Sequence, residues 1–202
     1  MTNQDRTEAH FSLEALQNGD QAEFARVVEA YSGYIYRLAL KMLQNPQDAE
    51  DVLQETFIKA FHALPKFQGQ SKISTWLYRI ATNEALMFLR KKRPDSISVE
   101  ANLQDDNDED KKPLQIVDWC CLPENELVSD EARQHLDDSI TQLPESLRLA
   151  FLLRDVEGLS TRETAEALEI SETAVKTRLH RARLSLRENL TAYYQGQILE
   201  RA

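Results

Sequence analysis

Lys176, Thr177, Arg178, His180 and Arg181 put five hydrogen-bond donors into six residues, with no carboxylate or nucleophile among them to form a reaction centre. Such a set can hold phosphates and read base edges, which is recognition rather than bond making. A second set, Asp51, Gln54, Glu55 and Ile58, repeats at helical spacing and gives an acidic face around one apolar side chain. That suits a basic partner helix, although a merely solvated face would look the same. A third set interleaves Phe67, Lys72, Trp76, Arg79 and Asn83, adjoining the basic run Arg90 to Arg93. Rings that stack on unpaired bases contribute about 1–3 kcal/mol each, amides read base edges and cations hold phosphates, so this set suits single-stranded nucleic acid. Trp76 by itself reads equally well as a core residue.

The donors at 176–181 need a helix to aim them. Ser160 with Glu163 is a capping box that starts one helix, and Ser171 caps a second. Val175, Leu179, Ala182, Leu186 and Leu190 then recur every three or four residues as one apolar stripe. Two short helices around a tight turn, the second basic on its outer side, form a helix-turn-helix that can enter the DNA major groove. An ordinary helical hairpin with a solvated basic face is the plainer alternative. Glu169 occupies the turn position where glycine is common, and a left-handed backbone there costs a Cβ on the order of 1 kcal/mol.

Five glycines in 202 residues, abundant Leu, Ala, Glu and Arg, and no sustained apolar alternation predict an all-α chain. It divides into two small helical domains, 12–93 and 129–195, joined by an acidic flexible linker at 94–128. No apolar run reaches the ~20 residues that span a bilayer, and the polar N-terminus resembles no signal peptide, so a cytoplasmic protein is expected. The net charge of −10 is unevenly placed. Residues 100–131 carry eleven acids and two bases, whereas 66–93 carry seven bases and one acid, and 171–190 five bases and two acids. Phosphate binding responds to the field within a Debye length of about 8 Å, so the acidic total does not exclude DNA. Cys120 and Cys121 are adjacent and have no histidine near them; they read as incidental thiols. No cofactor, metal or enzymatic activity is expected, because no phosphate-cradling loop, Ser/His/Asp arrangement or metal cluster stands out.

The run Asp48-Ala49-Glu50-Asp51-Val52-Leu53-Gln54-Glu55-Thr56-Phe57, then Phe67-Gln68-Gly69, then Thr75 to Asn83, resembles region 2 of bacterial sigma factors. Gln142-Leu143-Pro144-Glu145, Asp155 to Ser160 and the second helix of the helix-turn-helix resemble region 4. Without a middle domain, the whole resembles the extracytoplasmic-function (ECF) group of the sigma-70 family. The resemblance implies that Asp51, Gln54, Glu55 and Ile58 dock on the β′ subunit of core RNA polymerase. It implies that Phe67, Lys72, Trp76, Arg79 and Asn83 capture the −10 element, and that Lys176, Thr177, Arg178, His180 and Arg181 read the −35 element. The implied partners are core polymerase through β and β′, promoter DNA, and an anti-sigma factor that is often membrane-anchored. Two other readings stay open: a stand-alone helix-turn-helix regulator, and a sigma mimic that sequesters an anti-sigma factor.

Overall fold

The computed structural model describes residues 11–92 and 130–200. The acidic segment 94–128, with Cys120 and Cys121, lies outside the described residues, as does Arg93. Among the described residues eight α-helices follow in order: α1 Leu13–Gln17, α2 Gln21–Leu43, α3 Pro46–Ala63, α4 Ile73–Lys92, α5 Asp130–Gln142, α6 Glu145–Phe151, α7 Thr161–Leu168 and α8 Glu172–Glu200. Among the described residues there is no strand.

Local sequence sets most of these boundaries. The Asp20 carboxylate accepts from the backbone N–H groups of Ala22 and Glu23 and starts α2. Asn45 caps α3 in the same way, with Pro46 at the first position where its missing N–H costs nothing. The sequence around Ser32-Gly33 reads as a break between two helices, yet α2 runs straight through it. Val27, Ile35, Leu38, Ala39 and Met42 are all buried on one side of that helix. Burying that stripe against α3 outweighs the roughly 1 kcal/mol that an interior glycine costs. The sequence of α3 reads as a buried stripe of Leu53, Phe57, Ala60 and Phe61 continuing to Leu64; instead Ala49, Val52, Thr56, Phe57 and Ala60 are buried, whereas Leu53 and Phe61 are half-buried.

The second block holds the helix-turn-helix. Ser160 Oγ accepts from Glu163 N at 3.1 Å, and Glu163 Oε2 accepts from Ser160 N at 2.8 Å, completing the capping box of α7. Ser160→Ala is expected to cost about 1 kcal/mol, a fall in Tm of about 2–4 °C in a thermal melt; an unchanged Tm would show that the box is dispensable. Glu169 does adopt the left-handed backbone, with φ at 55°. Helix α8 extends 29 residues, from Glu172 to Glu200.

The two blocks do not stand apart. One apolar cluster passes from Ile35, Leu38 and Trp76 through Leu77 and Tyr78 to Leu149, Leu153, Ala167 and Leu186. Where the sequence suggests two tethered domains, the tertiary structure packs α4 against α7.

Candidate nucleic-acid interface

Helix α3 buries Val52, Thr56 and Ala60 and so turns Asp51, Gln54, Glu55 and Ile58 outward, all four exposed. Ile58 is 52% exposed, among the most accessible large apolar side chains described. Lys59 bounds this face, bonding Glu84 at 2.6 Å and approaching Glu55 at 3.4 Å. The Glu84 hydrogen bond raises the Lys59 pKa and keeps the ammonium charged.

The loop before α4 is held by α1. Gln17 Nε2 donates to the Phe67 carbonyl at 2.6 Å, and Leu13 sits 2.8 Å from where a Cβ on Gly69 would lie. With φ at +69°, Gly69 is required twice, by its backbone and by this close approach. Sequence reading missed α1 because five residues give too short a period to recognise. Phe67 and Trp76 are 8% and 7% exposed and pack on each other with ring centroids 4.8 Å apart. The ring faces are thus taken up by one another and by the core, which for Trp76 is the second of the two roles its sequence left open. They instead wall a cavity of about 550 Å³ that also meets Lys66, Gln70 and Arg79. Lys72 and Asn83 are exposed and Arg79 is half-buried.

On α8, Val175, Leu179, Ala182 and Leu186 are buried, and Lys176, His180 and Arg181 are exposed on the opposite side, with Thr177 half-buried between them. Arg178 does not join this group: it is 5% exposed. A helix turns 100° per residue, so position 178 falls about 60° from Val175, on the apolar side. Its expected place in the groove is corrected for that reason. Asp155 holds Arg183 through two hydrogen bonds, at 2.9 and 2.7 Å, fixing α8 to the turn before α7 and raising the Arg183 pKa.

Three polar groups at the junction of the blocks escaped the sequence reading. Tyr78 Oη donates to Glu157 Oε2 at 2.7 Å, and both residues are buried. A π-helical turn, Leu152–Val156, precedes Glu157 and accommodates one more residue than an α-turn. Arg148 Nη1 donates to the Met42 carbonyl at 3.1 Å, and Nη2 to the Leu143 carbonyl at 2.9 Å and to that of Thr141. The one available signal was charge inside an apolar run, Arg148 between Leu147 and Leu149.

The sigma-70 region 2 family model matches residues 27–94, and the sigma-70 region 4 model matches 133–186. The ECF RNA polymerase sigma factor SigW of Bacillus subtilis is 39% identical over 178 residues, covering 88% of this chain and 94% of the relative. The ECF RNA polymerase sigma-E factor of Escherichia coli K12 is 39% identical over 173 residues, covering 85% and 88%. Among solved structures, CnrH in complex with the cytosolic domain of CnrY superposes with a TM-score of 0.64 at 23% identity, over 89% of this chain and 95% of that one. RpoE bound to the anti-sigma factor NepR from Bartonella quintana gives 0.60 at 22%, over 84% and 97%. At these identities the likeness to the solved structures is one of fold.

Proposed function

The chain belongs to the ECF group of sigma-70-type RNA polymerase sigma factors, and from that premise we propose how its surfaces direct transcription initiation. The block at 12–93 carries polymerase docking and −10 capture, and the block at 129–195 reads the −35 element. Asp51, Gln54, Glu55 and Ile58 dock on the β′ subunit of core polymerase. Lys176, Thr177, His180 and Arg181 enter the −35 major groove, where each good base contact contributes about 1–3 kcal/mol of discrimination. Lys72, Arg79 and Asn83, beside the cavity walled by Phe67 and Trp76, hold an unpaired base of the −10 non-template strand. The observation that carries this reading is the outer face of α8, where Lys176, His180 and Arg181 are exposed together opposite a fully buried stripe.

Such a protein contributes binding energy and works in the cytoplasm, where its polymerase is. None of the described helices is long and apolar enough to cross a membrane. Regulation by an anti-sigma factor, itself membrane-anchored or free, fits the same family.

The deciding experiment mixes the purified chain with bacterial core polymerase and maps transcription starts on genomic fragments. Initiation at defined sites supports the proposal; binding to core without initiation favours a decoy, and duplex binding by a symmetric dimer without core favours a repressor. A second prediction follows from the groove assignment. Lys176→Ala with Arg181→Ala is expected to weaken −35 binding about 10–100-fold and relax selectivity at the contacted bases. A promoter series with unchanged preference at every −35 position would refute the assignment of those two residues.

A further inference from the structure

A carboxylate stands at the edge of the α8 face assigned to the −35 element. Arg183 follows Lys176 by seven residues, which places it within about 20° of Lys176 around the helix and about 10 Å farther along it. His180 precedes Arg183 by about one turn. The Arg183 guanidinium is held by the chain itself: Nε donates to Asp155 Oδ2 at 2.9 Å and Nη2 to Oδ1 at 2.7 Å. The side chain of Asp155 is 22% exposed and that of Arg183 52%. By charge alone an acid is the wrong residue for this place, because a carboxylate so near a DNA-facing edge repels phosphates. An untied arginine would attract them.

The backbone is shaped to bring Asp155 there. The Glu157 N–H donates to the Leu152 carbonyl, five residues back, at 2.8 Å and closes the π-helical turn. The extra residue in that turn lets the two carboxylates of the segment part. Glu157 turns to Tyr78 on α4, and Asp155 turns to α8. Apolar packing beneath the reading end of α8 is slight. Val175 and Leu179 meet Ala150 and Ala165, with Leu168 and Ile170 beside them; the larger cluster takes up only Ala182 and Leu186, farther along the helix. Two alanines make a shallow seat, and apolar contact is non-directional, so it leaves the rotation and tilt of this end weakly determined. A bidentate carboxylate–guanidinium pair is directional. An exposed pair adds little to stability, so direction is what this one supplies.

We propose that Asp155 is a positioning residue for −35 recognition: its two bonds to Arg183 set the angle at which α8 presents Lys176, Thr177, His180 and Arg181 to the base edges. The inference rests on the −35 assignment above. It reverses the sign expected from charge. Removing an acid from a DNA-binding face strengthens binding to every sequence when only the phosphates are concerned. Here Asp155→Asn weakens binding to the matching −35 sequence, because base-edge hydrogen bonds depend on angle, and it leaves or strengthens binding to a mismatched one. Arg183→Lys keeps the charge and loses the planar fork, so it shares the loss of discrimination.

The probes are two fluorescein-labelled duplexes: a promoter mapped in the transcription assay, and the same fragment with one −35 base pair replaced. Each is titrated with holoenzyme containing the wild-type chain, Asp155→Asn, Arg183→Lys or both together, and each free chain is melted as a control. The wild type should prefer the matching duplex, and each single variant should lower that preference about five- to tenfold. The double variant should lose no more than either single one, because both break the same contact. Melting temperatures should stay close to wild type. If Asp155→Asn does not fold, by circular dichroism, Arg183→Lys decides. The proposal is overturned if Asp155→Asn binds both duplexes more tightly with its preference intact, since Asp155 is then a mere repelling charge and Arg183 a phosphate contact. It is overturned equally if Arg183→Lys keeps the full preference, or if preference falls only in step with melting temperature. A wild-type holoenzyme that does not distinguish the duplexes removes the −35 assignment itself, and this inference with it.

Discussion

Replacing Gln54, Glu55 and Ile58 together by alanine is expected to lower affinity for core RNA polymerase at least a hundredfold and leave the fold intact. The three side chains sit on the exposed side of α3, while the helix is held by Val52, Thr56, Phe57 and Ala60 on the other. Nothing in the core depends on them. Surface changes away from packed features usually stay within about 0.5 kcal/mol of wild type. Here the triple substitution takes away the 3.4 Å approach of Glu55 to Lys59, while Lys59 keeps its shorter bond to Glu84. A docking surface concentrates its energy in a few central residues, about 1–2 kcal/mol or more each on truncation, and three such losses exceed a hundredfold. Ile58 matters most in this set, because a half-exposed isoleucine ringed by acids and an amide has little purpose on a solvated helix. Fluorescence anisotropy of labelled chain against core, with a thermal melt as control, reads both quantities. Unchanged affinity would move polymerase docking elsewhere on the chain.

Arg148→Met should destabilise the protein by about 2–4 kcal/mol, close to the largest effect of any single polar substitution. Methionine keeps much of the side-chain length and removes the guanidinium. Arg148 is 8% exposed, and its fork serves three carbonyls: Thr141 and Leu143 at the end of α5, and Met42 at the end of α2. Each of those carbonyls lies at a helix C-terminus, where no intrahelical partner remains and the helix dipole favours a cation. Without the guanidinium they stay buried and unsatisfied. The expected fall in Tm is about 5–15 °C by calorimetry. A loss smaller than about 1 kcal/mol would mean that water or a neighbour takes over the fork. Because one of the three carbonyls belongs to the other block, the same variant is expected to loosen the packing between the two blocks.

Periodicity carried far in this chain. The exposed set on α3 and the buried stripe of α8 follow from 100° per residue and nothing else, since one face of each packs on a neighbour. The same arithmetic, carried through for Arg178, puts it beside the stripe; counting it with the other donors by composition put it in the groove. Gly33 shows the opposite limit. A local breaker was overruled because packing along the whole of α2 outweighed it. The short α1, which props the loop at Gly69, left too few residues for any pattern.

What the sequence determined by itself is therefore the all-α class, the capped helix-turn-helix and the outward face of α3, which rest on neighbours within a few turns of chain, and a resemblance to the ECF sigma group, which rests on the order of motifs spread from Asp48 to the second helix of the helix-turn-helix. What only the tertiary structure decided is the fate of α4. Its run of Thr75, Trp76, Leu77 and Tyr78 reads as a mixture of ring, hydroxyl and aliphatic groups with no single buried side. It is covered all round because α3 and α7 close on it from different directions, and the hydrogen bond that helps to fix α7 there joins residues 79 apart. Helical periodicity records one packed face; it carries no information about a second partner brought in from the far end of the chain.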